Sequence, residues 1–389
     1  MQMGSGGVFT LRSLQRLEAQ IKAATDLYVR LVLFAKKAGY LAKMAEIKQA
    51  NEIVRLLRER NSGYDPQLSA WVMYAEGLIL HFETLDNRRT KDKFLRAFLV
   101  AQMAGDRELA ANAAAWVANC ELTAGQIKDA AGHLQQAFEW SAPNDSDARG
   151  RASMVLADGL NLAGCVQDAR RWYKVARQHA VTDGDIAMQN VMLYNAAAYS
   201  VSHLTLADCF QTVDPSELER ATLEVASACN LNGALGITHL QSLMPIMQAE
   251  LLVVKRAWQE AADLIDQNID ALVRDGQQRL QPRLLAQRAW CRVNTGEIAS
   301  ASADVASATT LIDDCADLDD LAVLHFRLAT TLDAIGDSTS AQVHLKSARD
   351  CLNLFQEQQS NIRSTLSDVI AQVTPKQNDP ADAGSDSVS

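Results

Sequence analysis

A pattern of small and large apolar residues recurs along most of the chain. In each copy a small residue is followed four positions later by a large apolar residue and seven positions later by another small one, as at Ala130, Leu134 and Ala137. Because a helical turn takes 3.6 residues, the three positions share one helix face. The first positions of the eight copies are Ala50, Thr90, Ala130, Ala169, Ala221, Ala261, Ala301 and Ala341.

The copies are regularly spaced and are accompanied by glycines. Successive copies lie 39 or 40 residues apart, except that Ala169 and Ala221 are 52 residues apart. Glycine adopts positive φ without strain and ends helices, so its recurrence marks turns within and after each copy. These turn positions are Gly105, Gly125, Gly164, Gly184, Gly276, Gly296 and Gly336. The period predicts about eight hairpins of two helices, each helix about 15 residues long.

The single break in the spacing places an insertion inside the fifth hairpin. Its sequence, HLTLADCFQTV over residues 203–213, is too apolar for a plain surface loop. We expect Leu204, Leu206 and Phe210 to pack against the protein. Two interpretations remain open, a structural extension of the hairpin and a lip over a binding surface, because long connections are often functional.

The two ends of the chain differ from the repeats. An apolar stripe of Ile362, Leu366, Val369, Ile370 and Val373 predicts a capping helix over residues 361–374, after repeats spanning residues 10–360. Residues 1–9 and 375–389 contain little to bury, so we expect them to be disordered.

The landmarks together are similar to the tetratricopeptide repeat (TPR), which has a small residue in its first helix, a turn glycine and an alanine pair in its second. The resemblance covers about residues 11–355. The fullest match is at Ala118, Gly125, Ala130, Leu134 and Ala137. The period is about 40 rather than about 34 residues, and most units lack the family's early tryptophan and closing proline. The resemblance implies an all-α, right-handed α-solenoid of about eight TPR-like hairpins with a C-terminal capping helix.

Composition limits the classes of partner. The formal net charge of −10 argues against binding to nucleic acid, since the basic stretches alternate with apolar residues as on solvated helix faces. The first ten residues carry no secretion signal, and no apolar stretch approaches a membrane span, so we expect a cytoplasmic protein without a membrane partner. The seven scattered cysteines fit buried thiols in a reducing compartment.

No catalytic motif is present. The chain has no Walker loop, no dinucleotide-binding glycine motif after a strand, no HExxH helix and no GxSxG elbow. Asp313, Asp314, Asp317, Asp319 and Asp320 fit an acidic loop before a helix, with a weak divalent-cation site as the alternative. The histidines and cysteines are separated along the chain, so we expect no catalytic residue, no metal ligand and no cofactor.

The resemblance supplies a candidate binding face, because the first helices of TPR hairpins line a concave, ligand-binding surface. Carried over by position, the candidates expected to be exposed there are Asn112, Asn119, Arg151, Asp158, Asn190, Tyr194, Glu250, Arg283, Gln287, Trp290 and Arg327. Their mixture of amides, both charges and aromatics suits a protein or peptide partner, and self-association remains open. The hypothesis is a non-catalytic scaffold or regulator, in the manner of bacterial regulatory proteins. The alternative is an enzyme or small-ligand-responsive module without a recognisable motif.

Overall fold

The structure, a computed structural model, describes residues 12–61, 65–84, 86–235 and 242–373. These residues form seventeen α-helices and two 3₁₀ helices, and they contain no β-strand. The α-helices are α1 Arg12–Ala23, α2 Leu27–Lys43, α3 Ile47–Arg60, α4 Pro66–Glu83, α5 Asn87–Ala104, α6 Arg107–Thr123, α7 Ile127–Trp140, α8 Ser146–Leu162, α9 Val166–Asp183, α10 Ile186–Phe210, α11 Pro215–Leu235, α12 Met244–Val254, α13 Trp258–Arg274, α14 Gln281–Asn294, α15 Ile298–Thr310, α16 Leu318–Ala334 and α17 Ser338–Val373. The ends expected to be disordered, residues 1–9 and 375–389, lie outside the described residues.

Helices α2 to α17 form eight consecutive hairpins, which confirms the predicted all-α solenoid. The even-numbered helices are the first helices of the hairpins, here called A helices, and the odd-numbered ones are the B helices. All eight first positions of the repeated pattern lie in B helices and are buried, with exposures between 0% for Ala50 and 6% for Ala341. Small side chains at these positions let paired helices approach closely.

The hairpin turns have the backbone geometry that the glycines predict. All seven turn glycines have positive φ, between 70° and 96°. Ala45 and Arg256, five residues before their copies of the pattern, also have positive φ, 62° and 64°. At Ala45 the following amide, Glu46 N–H, donates to the Leu41 carbonyl at 2.9 Å, as Gln126 N–H donates to Glu121 at 2.8 Å. The turn therefore forms even where a strained residue replaces glycine.

The described chain divides into two compact units. The first unit contains residues 12–185 and 360–373, and the second contains residues 186–359. In the first unit the A helices α2, α4, α6 and α8 pack side by side in chain order. Aromatic packing supports them: the Phe94 and Trp116 rings stack with centroids 5.3 Å apart, and a Cβ at Gly77 would lie 2.6 Å from the Phe94 ring. Gly77 is therefore required by close packing.

Helix α17 is a single helix of 36 residues rather than a hairpin helix followed by a separate capping helix over residues 361–374. The predicted apolar stripe packs inward, since Ile362, Leu366 and Val369 are buried in the core of the first unit. A Cβ at Gly159 of α8 would lie 2.8 Å from Leu366. The Arg363 guanidinium donates to the Ala163 carbonyl at 3.2 Å.

The insertion within the fifth hairpin is largely helical. Helix α10 continues without a break to Phe210, so residues 203–210 extend it, and only residues 211–213 belong to the turn before α11. Leu204 is buried as predicted, whereas Leu206 and Phe210 are half-buried. Among the described helices, none is long and apolar enough to span a membrane.

Candidate functional site

The predicted site residues lie in A helices, but the expectation that they are exposed is wrong for most of them. Asn119, Tyr194 and Trp290 are half-buried. The other eight are buried, with exposures of 6% or less: Asn112, Arg151, Asp158, Asn190, Glu250, Arg283, Gln287 and Arg327. Neighbouring A helices and internal partners cover them, since a polar side chain loses its water only where other groups replace it.

An open cleft of about 780 Å³ lies in the first unit. Its walls come from α1, the A helices α2, α4 and α6, the connection between α7 and α8, the start of α8 and the end of α9. B-helix side chains contribute only at the ends of α7 and α9, so the cleft lies on the side formed by the A helices, here called the A-helix face. Of the predicted site residues, only Asn112 lines it.

Lys43 is the central cation of this cleft. Its Nζ lies 3.1 Å from an oxygen of Asp147 and 3.1 Å from an oxygen of Asp185. Burial alone would lower the pKa of Lys43, but the two carboxylates outweigh burial and raise its pKa above the ordinary value. Burial would raise the pKa of Asp147, yet the cations of Lys43, Arg151 and Lys36 hold it below its ordinary value. Lys43 and Asp147 therefore both stay charged at neutral pH.

Two tyrosine hydroxyls lie buried next to Lys43. Tyr40 and Tyr74 are 6% and 4% exposed, and neither hydroxyl makes a hydrogen bond of good geometry within the described part of the chain. Ser13 is a polar neighbour of Tyr40, and Trp116 is a polar neighbour of Tyr74. Burial, with smaller contributions from nearby acids, raises the pKa of Tyr40 to about 12, so it keeps its proton at neutral pH. The two hydroxyls are therefore buried, uncharged groups behind the surface of the cleft.

The rim combines cations with tryptophan rings. Lys36 Nζ lies 4.7 Å from the centre of the Trp71 ring and forms an ion pair with Glu108 at 2.5 Å. The Arg107 guanidinium lies 5.5 Å from the centre of the Trp140 ring. Cations over aromatic faces present flat, partly apolar surfaces that still carry charge.

Helix α1 closes one side of the cleft by packing against the end of α9. The Ser13 hydroxyl donates to the Asp183 carbonyl at 2.7 Å, and Arg16 pairs with the Asp183 carboxylate. Gly184 has φ of 72°, and a Cβ there would lie 3.3 Å from Arg12. Sequence reasoning missed this wall because α1 precedes the repeats and carries no copy of their pattern.

The lining is close to neutral. Four cations face five carboxylates: Arg16, Lys36, Lys43 and Arg107 against Glu108, Asp145, Asp147, Asp183 and Asp185. Burial raises the pKa of Asp145 to about 6, although its bond from the Ala148 amide opposes this. In the described residues no group of three or more histidine, cysteine, aspartate or glutamate side chains could hold a metal ion. The lining suits hydrogen bonding and charge pairing with a ligand of mixed polarity.

The A-helix face of the second unit contains buried ion pairs. Arg283 of α14 pairs with Glu250 of α12 and with Asp320 of α16, where Nε and Oδ1 are 3.0 Å apart. Burial raises the pKa of Asp320 to about 6, with Asp319 adding to the effect and Arg283 opposing it. Burial likewise raises the pKa of Glu250.

Comparison with known proteins adds information on the fold. No model of a known protein family matches the chain, and no curated protein matches it. Among solved structures, it is similar to a Rap protein complexed with competence and sporulation factor, with a TM-score of 0.54 and 12% identity over 90% of this chain and 95% of that chain. At this identity the similarity shows a shared helical-repeat fold.

Proposed function

We propose that the chain is a non-catalytic scaffold or regulator that binds a segment of a protein or peptide in the cleft of the first unit. One observation carries the proposal, namely an open cleft of about 780 Å³ on the A-helix face that combines charges of both signs, tryptophan rings and buried hydroxyls. Its volume lies in the range of roughly 300–1,000 Å³ typical of ligand sites.

The chemistry of the cleft favours a peptide. A peptide backbone alternates donors and acceptors, and the cationic and carboxylate side chains of the lining can bond both kinds of group. The rim pairs of Lys36 with Trp71 and of Arg107 with Trp140 suit side chains that are partly apolar, and arginine and tryptophan are enriched at binding hot spots. A nearly neutral lining does not favour a polyanion such as nucleic acid.

Two further observations support the proposal. The structurally similar Rap protein was solved in complex with competence and sporulation factor, so a protein of similar fold binds another molecule. All seven cysteines of the present chain are free thiols, which supports a cytoplasmic location.

The test begins with peptides selected from a random library against the full chain. Affinity of a selected peptide is then measured for Arg107→Ala and Trp140→Ala, with Arg171→Ala of α9 as the matched control, because Arg171 is exposed and lies outside the cleft. We expect each cleft variant to weaken binding by about tenfold or more, and the control to leave it unchanged. Equal affinity for all three variants, with native melting temperatures, would place binding elsewhere.

A further inference from the structure

Helix α10 is longer than the other A helices of the chain. It has 25 residues, whereas α2, α6, α8 and α16 each have 17. The additional turns, residues 203–210, are here called the α10 extension. They coincide with the insertion in the repeat spacing.

The α10 extension continues an amphipathic stripe that begins at Val201 of α10. Val201, Leu204, Thr205 and Cys209 are buried, and the Asp208 side chain is 1% exposed. Their spacing of three and four residues places them on one helix face. Val201 and Leu204 pack within the core formed with α11 and α12. The stripe also contains a carboxylate, which is costly to bury without a cation.

The last turns of this stripe reach α16, three hairpins further along the chain. Asp208 pairs with Arg327 of α16 and, at 2.7 Å, with Arg256 of the turn after α12. The Ser202 hydroxyl donates to Asp319 at 3.2 Å, and the Phe210 and Phe326 rings meet edge to face with centroids 5.0 Å apart. The α10 extension therefore lies across the A-helix face of the second unit.

The surface under the α10 extension complements the charged and aromatic side chains of this helix. It offers two arginines to one carboxylate and a phenylalanine to an aromatic side chain, which is the arrangement of a helix bound in a groove. The fit is incomplete, because Thr205 Oγ1, Thr331 Oγ1 and Arg327 Nε are buried without hydrogen-bond partners among the described residues.

We infer that the A-helix face of the second unit is a binding site for an amphipathic helix carrying a carboxylate, and that the α10 extension occupies it as an intramolecular ligand. A partner helix with the same carboxylate and aromatic side chain, and with better-paired polar groups, competes for this site. The inference concerns a different surface from the cleft of the first unit and stands independently of the peptide proposed there.

The test uses the full chain and a fluorescent synthetic peptide with the sequence of residues 200–213, in which serine replaces Cys209 to prevent oxidation. The receptor variant combines Asp208→Asn with Phe210→Ala, which weakens the intramolecular contacts. We expect the peptide to bind this variant about tenfold or more tightly than the native chain, because a tethered segment competes at an effective concentration of about 1 mM.

Two controls define the site. A peptide that also carries Asp208→Asn should bind the variant more weakly, and adding Arg327→Gln to the variant should weaken binding of the original peptide. Equal binding to the native chain and the variant, or no binding to a variant with native helicity, would overturn the inference.

Hydrogen exchange on the native chain tests the inference even if the variant does not fold. We expect amides of residues 203–210 to exchange through a local opening, faster than those in the middle of α16. Exchange of both segments only through global unfolding would show that the α10 extension is an inseparable part of the core, and would also overturn the inference.

Discussion

The A-helix face is open in the first unit and covered in the second, although the same repeat builds both. In the first unit the A helices have 17 or 18 residues and leave a cleft around Lys43. In the second unit α10 has 25 residues, and its end pairs with Arg327. The two units thus differ in what lies on the A-helix face: a cleft opens on it in the first unit, and the extended end of α10 lies across it in the second.

The two units also use one charge arrangement with opposite results. Each places one cation between two carboxylates, Lys43 in the first unit and Arg283 in the second. The Asp147 side chain is 41% exposed and its pKa is lowered, whereas Asp320 is 15% exposed and its pKa is raised to about 6. Lys43, Arg151 and Lys36 together hold the pKa of Asp147 low, whereas at Asp320 the effect of burial outweighs that of Arg283.

The largest effect should come from removing the buried cation of the second unit. Arg283→Ala leaves Glu250 and Asp320 buried without a cation and should lower the free energy of unfolding by about 3–5 kcal/mol, measured by urea denaturation. Arg55→Ala, which removes an exposed ion pair with Glu59, should cost about 0.5 kcal/mol or less. We expect Lys43→Met to lower the free energy of unfolding by less than Arg283→Ala does. An equal loss would contradict a difference between the open and the covered face.

Enlarging the small residues of the hairpins should affect both units alike. Ala130→Leu and Ala301→Leu each add volume at a position with 0% exposure and should cost about 1–3 kcal/mol by overpacking. Ala303→Leu is the control, since Ala303 is exposed in the same helix as Ala301. The unfolding midpoint in urea distinguishes them. A near-zero cost in one unit would mean that the repeated pattern is not the common basis of both.

The pH dependence of stability should differ between the units. Asp320 binds its proton more tightly in the folded chain, so this group adds stability as the pH falls from about 7 to about 4. When the pH is lowered from 7 to 5, the native chain should therefore gain about 1 kcal/mol of unfolding free energy relative to the Asp320→Asn variant. Asp147→Asn should show no such change, because the lowered pKa of Asp147 confines its effect to lower pH. Matching pH profiles for the two variants would contradict the assignment.

The smallest effect concerns the two turns that lack glycine. Ala45→Gly relieves positive φ in the first unit and should add about 0.5–1 kcal/mol to the free energy of unfolding, seen as a higher melting temperature. Arg256→Gly relieves the same strain in the second unit but removes an ion pair with Asp208, so we expect no gain. A gain at Arg256 equal to that at Ala45 would mean that this ion pair contributes little to covering the face.

The sequence predicted the hairpins well because short-range packing rules determine them. Positions such as Ala130 and turns such as Gly125 depend on residues a few positions away, and such constraints recur with the repeat. The sequence does not predict the positive φ of Ala45 and Arg256, because neither residue type favours that conformation. There the surrounding hairpin imposes the turn geometry on the sequence.

The site was predicted less well because distant residues define it. Lys43 meets carboxylates 104 and 142 positions further along the chain, and no spacing rule connects them. Position in the repeat placed Arg283 and Arg327 on the correct helices but could not show that Glu250, Asp320 and Asp208 already pair with them. The binding roles of the predicted site residues remain predictions.

The continuity of α17 has a consequence for synthesis of the protein. Arg363 bonds to Ala163, which is 200 positions earlier, and Leu366 completes the core of a unit whose other helices end before α10. During translation the first unit therefore emerges from the ribosome long before its last helix exists. Its apolar surface around Leu122 and Gly159 therefore stays uncovered until residues 360–373 have been synthesised.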